Sequence, residues 1–514
     1  MMQRFVARSI SLLHILSEQL QCLRTIFANQ NAKIDFNSVS VQGNSFFHDA
    51  QFSGNAFFTN MRTGGNLELL RTIFGKKMAN LEGIRVGGKL IAHEAQFGGT
   101  TVFSNGQISG SFEANNIRFL DQDRGVFFNN VQTTAITISK GKFLGPVDFS
   151  LTKADMFIIY DSTFENNTKP VDFRGIKVQV NFVLDKTRFS GPVNFDFANI
   201  TGNFSAIETR YLSNEKVSLR KITIGGRMLF KDAILSSPVD LESASIQDLI
   251  IEDIPGKGGD TRGVDTLDFS RSVVTGELRL ENVVFKRIIA NSAKVQGPAV
   301  FKKVTVSDDL TLEATRFTSL TFSDFLYSPT CRIRLRGMRY EAVDGNSSNE
   351  PEFVEWFLRF LDRSEYDSGA YQQFESFLKS QGQSDAVDKV YASSTWRDKR
   401  SFRGRMWNEF EEGFIYHGRK PYRAFGWGLI FIFIGVLFFY KKDWMELIDD
   451  KKKCHYNPFW YAIGIFVPFI KLQVANHWQP RQDRKIARHV VYALQLLGWF
   501  LLTIGVLSFS GIIK

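Results

Sequence analysis

Gly145-Pro146-Val147-Asp148-Phe149 is the phrase that decides the fold, because the first two thirds of the chain keep repeating it. It returns as Pro170-Val171-Asp172-Phe173, Gly191-Pro192-Val193-Asn194-Phe195, Ser237-Pro238-Val239-Asp240-Leu241 and Gly297-Pro298-Ala299-Val300-Phe301. The closing apolar residue steps from Phe58 to Phe103, Phe149, Phe173, Phe195, Leu241 and Phe301, at intervals of 45, 46, 24, 22, 46 and 60 residues. All but the last interval are close to one or two units of roughly 23, a period of internal repetition. The last is two units plus an insertion of roughly 14 residues, and the Gly-rich polar stretch from Ile251 to Val264 has that length.

Short apolar pairs with Gly, Asn, Asp or Ser between them are what a β-solenoid needs. Each coil supplies several short strands, and inward side chains stack on the same positions of the next coil. In Val147/Phe149, Val171/Phe173 and Val193/Phe195 a polar residue between the pair points outward. Fifty Phe against thirteen Tyr and eight Trp fit a stacked interior in which no ring has a polar atom to satisfy. Ala50-Gln51-Phe52 and Ala95-Gln96-Phe97 place a small residue two before an inward Phe, where a corner is tight. That second phrase resembles the A-x-F/L pattern of pentapeptide-repeat solenoids, with longer and less regular units. A solenoid over 32–340 would hold roughly 13 coils and measure on the order of 60 Å. A β-sandwich would need longer strands and hairpin dipeptides, and would not hold one phrase in phase this far.

The net charge of +10 sits entirely in the tail, since 396–514 holds 19 Lys/Arg and 9 Asp/Glu. The preceding residues are neutral, so the solenoid lacks the charge signature of a nucleic-acid binder, no nucleic-acid partner is expected, and neutrality argues against an acidic mimic of the duplex. Three Cys (Cys22, Cys331, Cys454) offer no disulfide framework, and the N-terminus has no secretory core, so the solenoid is expected in the cytoplasm. No dinucleotide fingerprint, P-loop, C-x-x-C or G-x-S-x-G occurs, and the seven His lack ligand spacing. No catalytic residue, cofactor or metal is therefore expected. Asp148, Asp172, Asn194 and Asp240 recur at one outward phase, as a lyase-like face would, but turn-adjacent polar positions give the same pattern.

Two apolar runs mark a membrane domain over 406–514. The first, 424–440, has 17 uncharged residues and the second, 490–513, has 24, each expected to cross as a helix. Between them 457–470 is short and carries Pro458 and Pro468; it is read as an interfacial helix, with a re-entrant segment as the alternative. Trp427, Tyr440, Phe459, Trp460, Phe466, Phe469, Trp478 and Trp499 are the expected membrane contacts. Arg419, Lys420, Arg423, Lys441, Lys442, Arg484, Lys485 and Arg488 are the expected lipid-headgroup contacts. The basic connector between the runs favours placing it in the cytoplasm, which pulls against a cytoplasmic solenoid if both runs cross.

Leu13, Leu16, Leu20, Leu23 and Phe27 follow the 3,4 spacing of a helix seam, so 1–31 is expected to be a helix that caps the first coil or joins copies. A helical hairpin is expected over 350–405, with Phe353, Trp356, Phe357 and Phe360 on one face, an N-cap at Asp367-Ser368 and a stop at Gly382. From Tyr371 through Gly413-Phe414-Ile415-Tyr416 and Asn457-Pro458-Phe459-Trp460-Tyr461 to Gly498-Trp499, the order of motifs resembles the C-terminal module of a bacterial family. Its members carry pentapeptide-like solenoids and are loosely labelled membrane-associated proteins or oxidoreductases. The resemblance implies a bacterial inner-membrane protein and supplies no catalytic set. The sequence thus reads as a non-enzymatic, multi-pass, membrane-anchored solenoid scaffold, binding lipid and a protein partner or further copies of itself. The alternative is an oligomeric pore-forming or membrane-perturbing effector.

Overall fold

The computed structural model describes residues 4–5, 9–11, 15–16, 18–31, 33–254, 263–345, 350–398, 422–448, 455–467, 469–470 and 472–509. They form two compact units, Met1–Gln373 and Phe374–Lys514. The first is a parallel β-solenoid of about 14 turns. The early coils contribute four short strands each, so that the coil around 33–52 is built from Lys33–Asp35, Ser40–Val41, Ser45–Phe46 and Gln51–Phe52, and in later coils strands run on around a corner, up to the 18 residues of Lys294–Thr311.

Apolar rings dictate the register. Phe27, Phe52, Phe74, Phe97, Phe119, Phe143, Phe164, Phe189 and Tyr211 pair in succession along one side. Their ring centroids lie 4.5 to 5.2 Å apart. That is the strand-to-strand spacing of a sheet, so stacking and the hydrogen-bond ladder are satisfied by one geometry. The Val-Asp-Phe phrase builds a second column, in which Phe103, Phe128, Phe149, Phe173 and Phe195 stack at 4.6 to 5.2 Å. Pro146, Pro192 and Pro238 stand just before their strands, where no N–H is needed, and their carbonyls accept from the adjacent coil.

Two corners of each coil turn through a residue in the left-handed region, such as Ser38 (φ 58°) and Asp49 (φ 56°). At the first corner Val39 N–H bonds Phe36 C=O, and at the second Ala50 N–H bonds Phe47 C=O. The small residues expected at tight corners are there: Ala50 and Ala95 are fully buried. In other coils the same place holds Thr72 and Thr209, whose hydroxyls donate to Phe47 and Leu184 C=O at 2.6 and 2.8 Å. A third corner runs so close to its neighbour that only glycine fits, since a Cβ on Gly87 would stand 2.2 Å from Gly64 C=O.

Opposite charges pair between coils, as in Arg71–Asp49 (2.7 Å), Lys89–Glu113 (2.9 Å) and Lys216–Asp240 (2.7 Å). This is where the neutrality of the solenoid comes from. Arg71 hydrogen-bonds Asp49 and holds its carboxyl below the usual carboxylate range; Lys89 and then Ser111 do the same for Glu113.

Three expectations change. The N-terminal residues 1–31 are not a helix where described: Arg4–Phe5, Ser9–Ser11, Ile15–Leu16, Leu20–Gln21 and Ile26–Phe27 are strands, and the solenoid begins with them rather than at 32. Leu20 and Phe27 are buried and Leu23 is exposed. The stacking of Phe27 on Phe52 at 4.7 Å outweighs the local helical pattern. The last phrase, Pro298-Ala299-Val300-Phe301, lies on another side of the coil. Phe301 pairs with Leu280 and Phe322, while the Val239–Asp240 strand continues through Leu267–Asp268 and Ile288–Ile289. Pro298 sits beside a register shift, where a missing N–H is tolerated. The interval of 60 is therefore not a whole number of coils. The expected insertion does lengthen its coil, since Val239 and Leu267 stand 28 residues apart where Val217 and Val239 stand 22 apart, and 255–262 lie outside the described residues.

Helix α1 (Glu350–Arg363) closes the last coil with the expected aromatic face. Trp356 meets Phe322 at 5.3 Å, Phe357 meets Tyr340 at 6.0 Å and Phe360 meets Phe325 at 6.3 Å. Helix α2 (Ser368–Ser380) starts after Asp367, whose carboxylate accepts from Gly369 and Gly337 N–H, and it ends at Gly382 (φ 75°). Helix α3 is Ser384–Asp398.

Candidate membrane-facing helices

The second unit contains α4 (Tyr422–Phe438), α5 (Pro458–Phe466), the single turn α6 (Gln473–His477) and α7 (Lys485–Phe509). Helices α4 and α7 run antiparallel, because Gly435 meets Leu494 while Gly428 and Gly498 both meet Phe466. Helix α5 lies between them. It starts at Asn457, whose side chain accepts from Phe459 and Trp460 N–H at 2.9 and 3.3 Å, with Pro458 in the first helical position.

Small residues make some of the closest approaches. Gly435 faces Ala462, Gly464 faces Ala475, and a Cβ on Gly498 would stand 1.8 Å from Phe466 C=O. Large apolar residues point the other way. Leu429, Phe433 and Leu437 form an i, i+4, i+8 stripe on α4, with exposures of 69, 62 and 61%, and Ile486, Leu496 and Val506 are equally exposed on α7. Phe439, Tyr461, Ile465, Phe466, Leu494 and Leu501 are buried between the helices, so the interior is apolar as in a water-soluble bundle, but the outer face is apolar too, and close approach through glycine is a habit of helices in lipid. Within α7, Lys485–Ile504 is long and apolar enough to cross a bilayer, with 22% of its apolar window buried; Phe425–Phe438 is apolar but shorter.

At the end where α4 stops and α7 starts, Met445–Leu447 pairs antiparallel with Trp478–Pro480. Basic side chains gather on aromatic rings there. Lys441 and Arg484 lie 5.7 and 5.4 Å from the Trp444 ring, and Lys442 lies 5.9 Å from that of Trp478. Lys485 and Arg488 follow in the first turn of α7. Five of the expected headgroup residues thus share one end of the unit, while Arg423 stands at the far end of α4. Arg419 and Lys420 lie outside the described residues.

Of the expected membrane contacts, Trp427, Tyr440, Phe459, Trp460, Phe469 and Trp499 are exposed. Phe466 and Trp478 are buried instead, Phe466 against the glycines of α4 and α7 and Trp478 against Tyr456 at 5.0 Å. Trp444 escaped the sequence reading because it lies outside both apolar runs. Its neighbours Lys441 and Lys442 were the available signal.

The recurring polar residues of the solenoid phrase have a local role, and Asp172 among them is buried. Asp148, Asp172, Asn194 and Asp240 each accept the N–H of the residue two positions on, at 2.8 to 3.1 Å, which shapes the corner. Asp172 also pairs with Arg174 at 2.6 Å. Among the described residues no three His, Cys, Asp or Glu side chains converge as metal ligands. Leu151 and Phe197 differ from this pattern. Both occupy left-handed corner positions (φ 58° and 62°) where other coils have Asn60, Asn105, Gly175 or Lys221, and both are apolar and about 60% exposed. Leu151 leans over Gly175, the intervening residue of that column. No family model, curated protein or solved structure matches this chain.

Proposed function

We propose that the chain is a non-enzymatic scaffold, a solenoid tethered to a bilayer by α4 and α7, that presents its rigid surface to a protein partner or a second copy. The observation that carries the membrane part is the outer face of the second unit, where Leu429, Phe433 and Leu437 on α4 and Ile486, Leu496 and Val506 on α7 are exposed although the interior is itself apolar. Helix α4 spans about 26 Å, a few ångströms short of the roughly 30 Å hydrocarbon core, a mismatch that local thinning accommodates. The ring of Lys441, Lys442, Arg484, Trp444 and Trp478 suits one headgroup layer. The resemblance to bacterial solenoid proteins with a two-helix tail is compatible with this reading, in which the bilayer would be a bacterial inner membrane.

The display role is supported by Leu151 and Phe197. A bulky residue in the left-handed region costs roughly 1–2 kcal/mol, and burial does not offset it here. Corner residues such as Arg71, Lys140 and Lys221 share this conformation, so what sets Leu151 and Phe197 apart is an exposed apolar side chain, which suits contact with something else. The test is carbonate washing of membranes holding the full chain or a chain ending at Asp398, followed by pull-down with Phe197→Asn. Retention of the full chain, release of the shorter one and loss of partner or self-association in the variant support the proposal. A full chain that washes into buffer ends it.

A further inference from the structure

We propose that the stretch from Asn457 to Trp478 is a re-entrant hairpin that enters the bilayer from the side of the 441–488 connector, turns near the midplane and returns to that side. The proposal rests on α4 and α7 being spans. Its entry and exit are tied together: the Tyr456 hydroxyl donates to Phe439 C=O at 2.5 Å, the Tyr456 and Trp478 rings lie 5.0 Å apart, and Trp478–Pro480 pairs with Met445–Leu447.

The inward leg descends beside α4. Tyr461 meets Phe439 at 5.2 Å near the top, Ala462 meets Gly435 below it, and Phe466 meets Gly428 at the bottom. Gly428 lies ten residues from the end of α4 and Gly498 thirteen from the start of α7, which is a depth of about 15 to 20 Å. Half of a roughly 30 Å hydrocarbon core is about 15 Å, so Phe466 stands near the middle. Beyond it Phe469 meets Trp499 at 5.6 Å, and the chain climbs back through α6, whose Ala475 packs on Gly464.

An interfacial helix needs a polar face, and Pro458–Phe466 (PFWYAIGIF) has none. Broken helical backbone at membrane depth is tolerated where protein covers it and its hydrogen bonds are made. Phe466 is buried, Val467 N–H donates to Ile463 C=O at 2.8 Å, and Ile470 N–H donates to Val467 C=O at 3.2 Å, while the apolar side chains of Phe469 and Ile470 face outward, where lipid would cover them. The glycine at 498 has a reason in this arrangement, because any side chain there would strike the Phe466 carbonyl and push the hairpin out.

The test uses the full chain with Cys22, Cys331 and Cys454 changed to serine, reconstituted in liposomes, with one cysteine at a time at Tyr422, Asp443, Phe469 or Gln479. A membrane-impermeant maleimide is added outside, and a fluorophore at each site is quenched by lipids labelled at known depths. The expected result is that Asp443 and Gln479 react from one side and Tyr422 from the other. Phe469 reacts from neither and is quenched best by labels near the acyl-chain ends. In Gly498→Val, labelling at Phe469 should speed up at least about tenfold, a shift of roughly 1.4 kcal/mol in exposure. Reaction of Phe469 and Tyr422 from the same side would make the segment a full span and overturn the proposal. Quenching at headgroup depth would make it interfacial and overturn it equally. If Tyr422 and Asp443 react from one side, the spans themselves fall.

Discussion

Replacing Leu429 and Phe433 together by lysine puts the membrane reading under direct load. Helix α4 carries ten Leu, Ile, Phe and Val side chains among its 17 residues. At about −0.3 to −0.6 kcal/mol each they favour insertion by about 3–6 kcal/mol. A lysine near the helix centre costs about 2.5–3.5 kcal/mol, and each substitution also forfeits one apolar contribution. One lysine at Leu429, in the middle of α4, leaves insertion between about 1 kcal/mol unfavourable and about 3 kcal/mol favourable, and the pair carries it past zero. Because both side chains already face outward, the same changes on a water-soluble helix would move stability by no more than about 0.5 kcal/mol. Helix α7 still anchors the double variant, so the readout must belong to α4: single cysteines at Tyr422 and Tyr440, labelled from one side of sealed vesicles. In the parent chain they should react from opposite sides, and in the double variant mostly from the same side. Opposite-side labelling that survives both lysines would refute the reasoning.

Phe173 touches Phe149, Phe157, Phe182 and Phe195 in the solenoid interior, so Phe173→Ala should cost about 3–5 kcal/mol. Because coils contact only their neighbours, the loss should appear in hydrogen exchange as faster opening of 149–195 rather than uniformly. Phe197→Asn should do the opposite, stabilising its coil by about 1 kcal/mol in urea unfolding by relieving the left-handed strain, and a destabilised variant would argue that Lys221, 5.3 Å over the ring, holds Phe197 for stability. Burial, aided by Asp309 and Asp308, pushes the Cys331 thiol up to about 11. Its alkylation at pH 8 should therefore run roughly a hundredfold slower than that of a free cysteine. The raised value means that this thiol supports folding below about pH 8.5 and ceases to as pH climbs through about 11. Rapid alkylation of folded chain at neutral pH would contradict it.

The solenoid was legible from residues 145–149 and their repeats because each coil reuses one set of inward positions, and a ring stacked on a ring leaves its period in the sequence. Phase was legible only while that period held. Phe301 repeats the phrase but belongs to another column, because a longer coil and a register shift intervene, and no local pattern records either. The seam from Leu13 to Phe27 misled for a related reason: spacings of three and four suit a helix, and they also suit a coil whose corners come every few residues. Choosing between them needed the next coil, on which Phe27 stacks.

In the tail, length and apolarity were enough to mark α4, α5 and α7, since those are properties of single segments. Which face of each segment is glycine-lined and which is bare depends on the partners it meets, and so do the burial of Phe466 and the gathering of Lys441, Arg484 and Trp444. Composition by itself determined that this chain stacks Phe in one unit and collects apolar helices in another. Only the tertiary structure decided which apolar residues of those helices are buried against a neighbour and which stay bare, because contact between helices is a property of pairs that no single segment encodes.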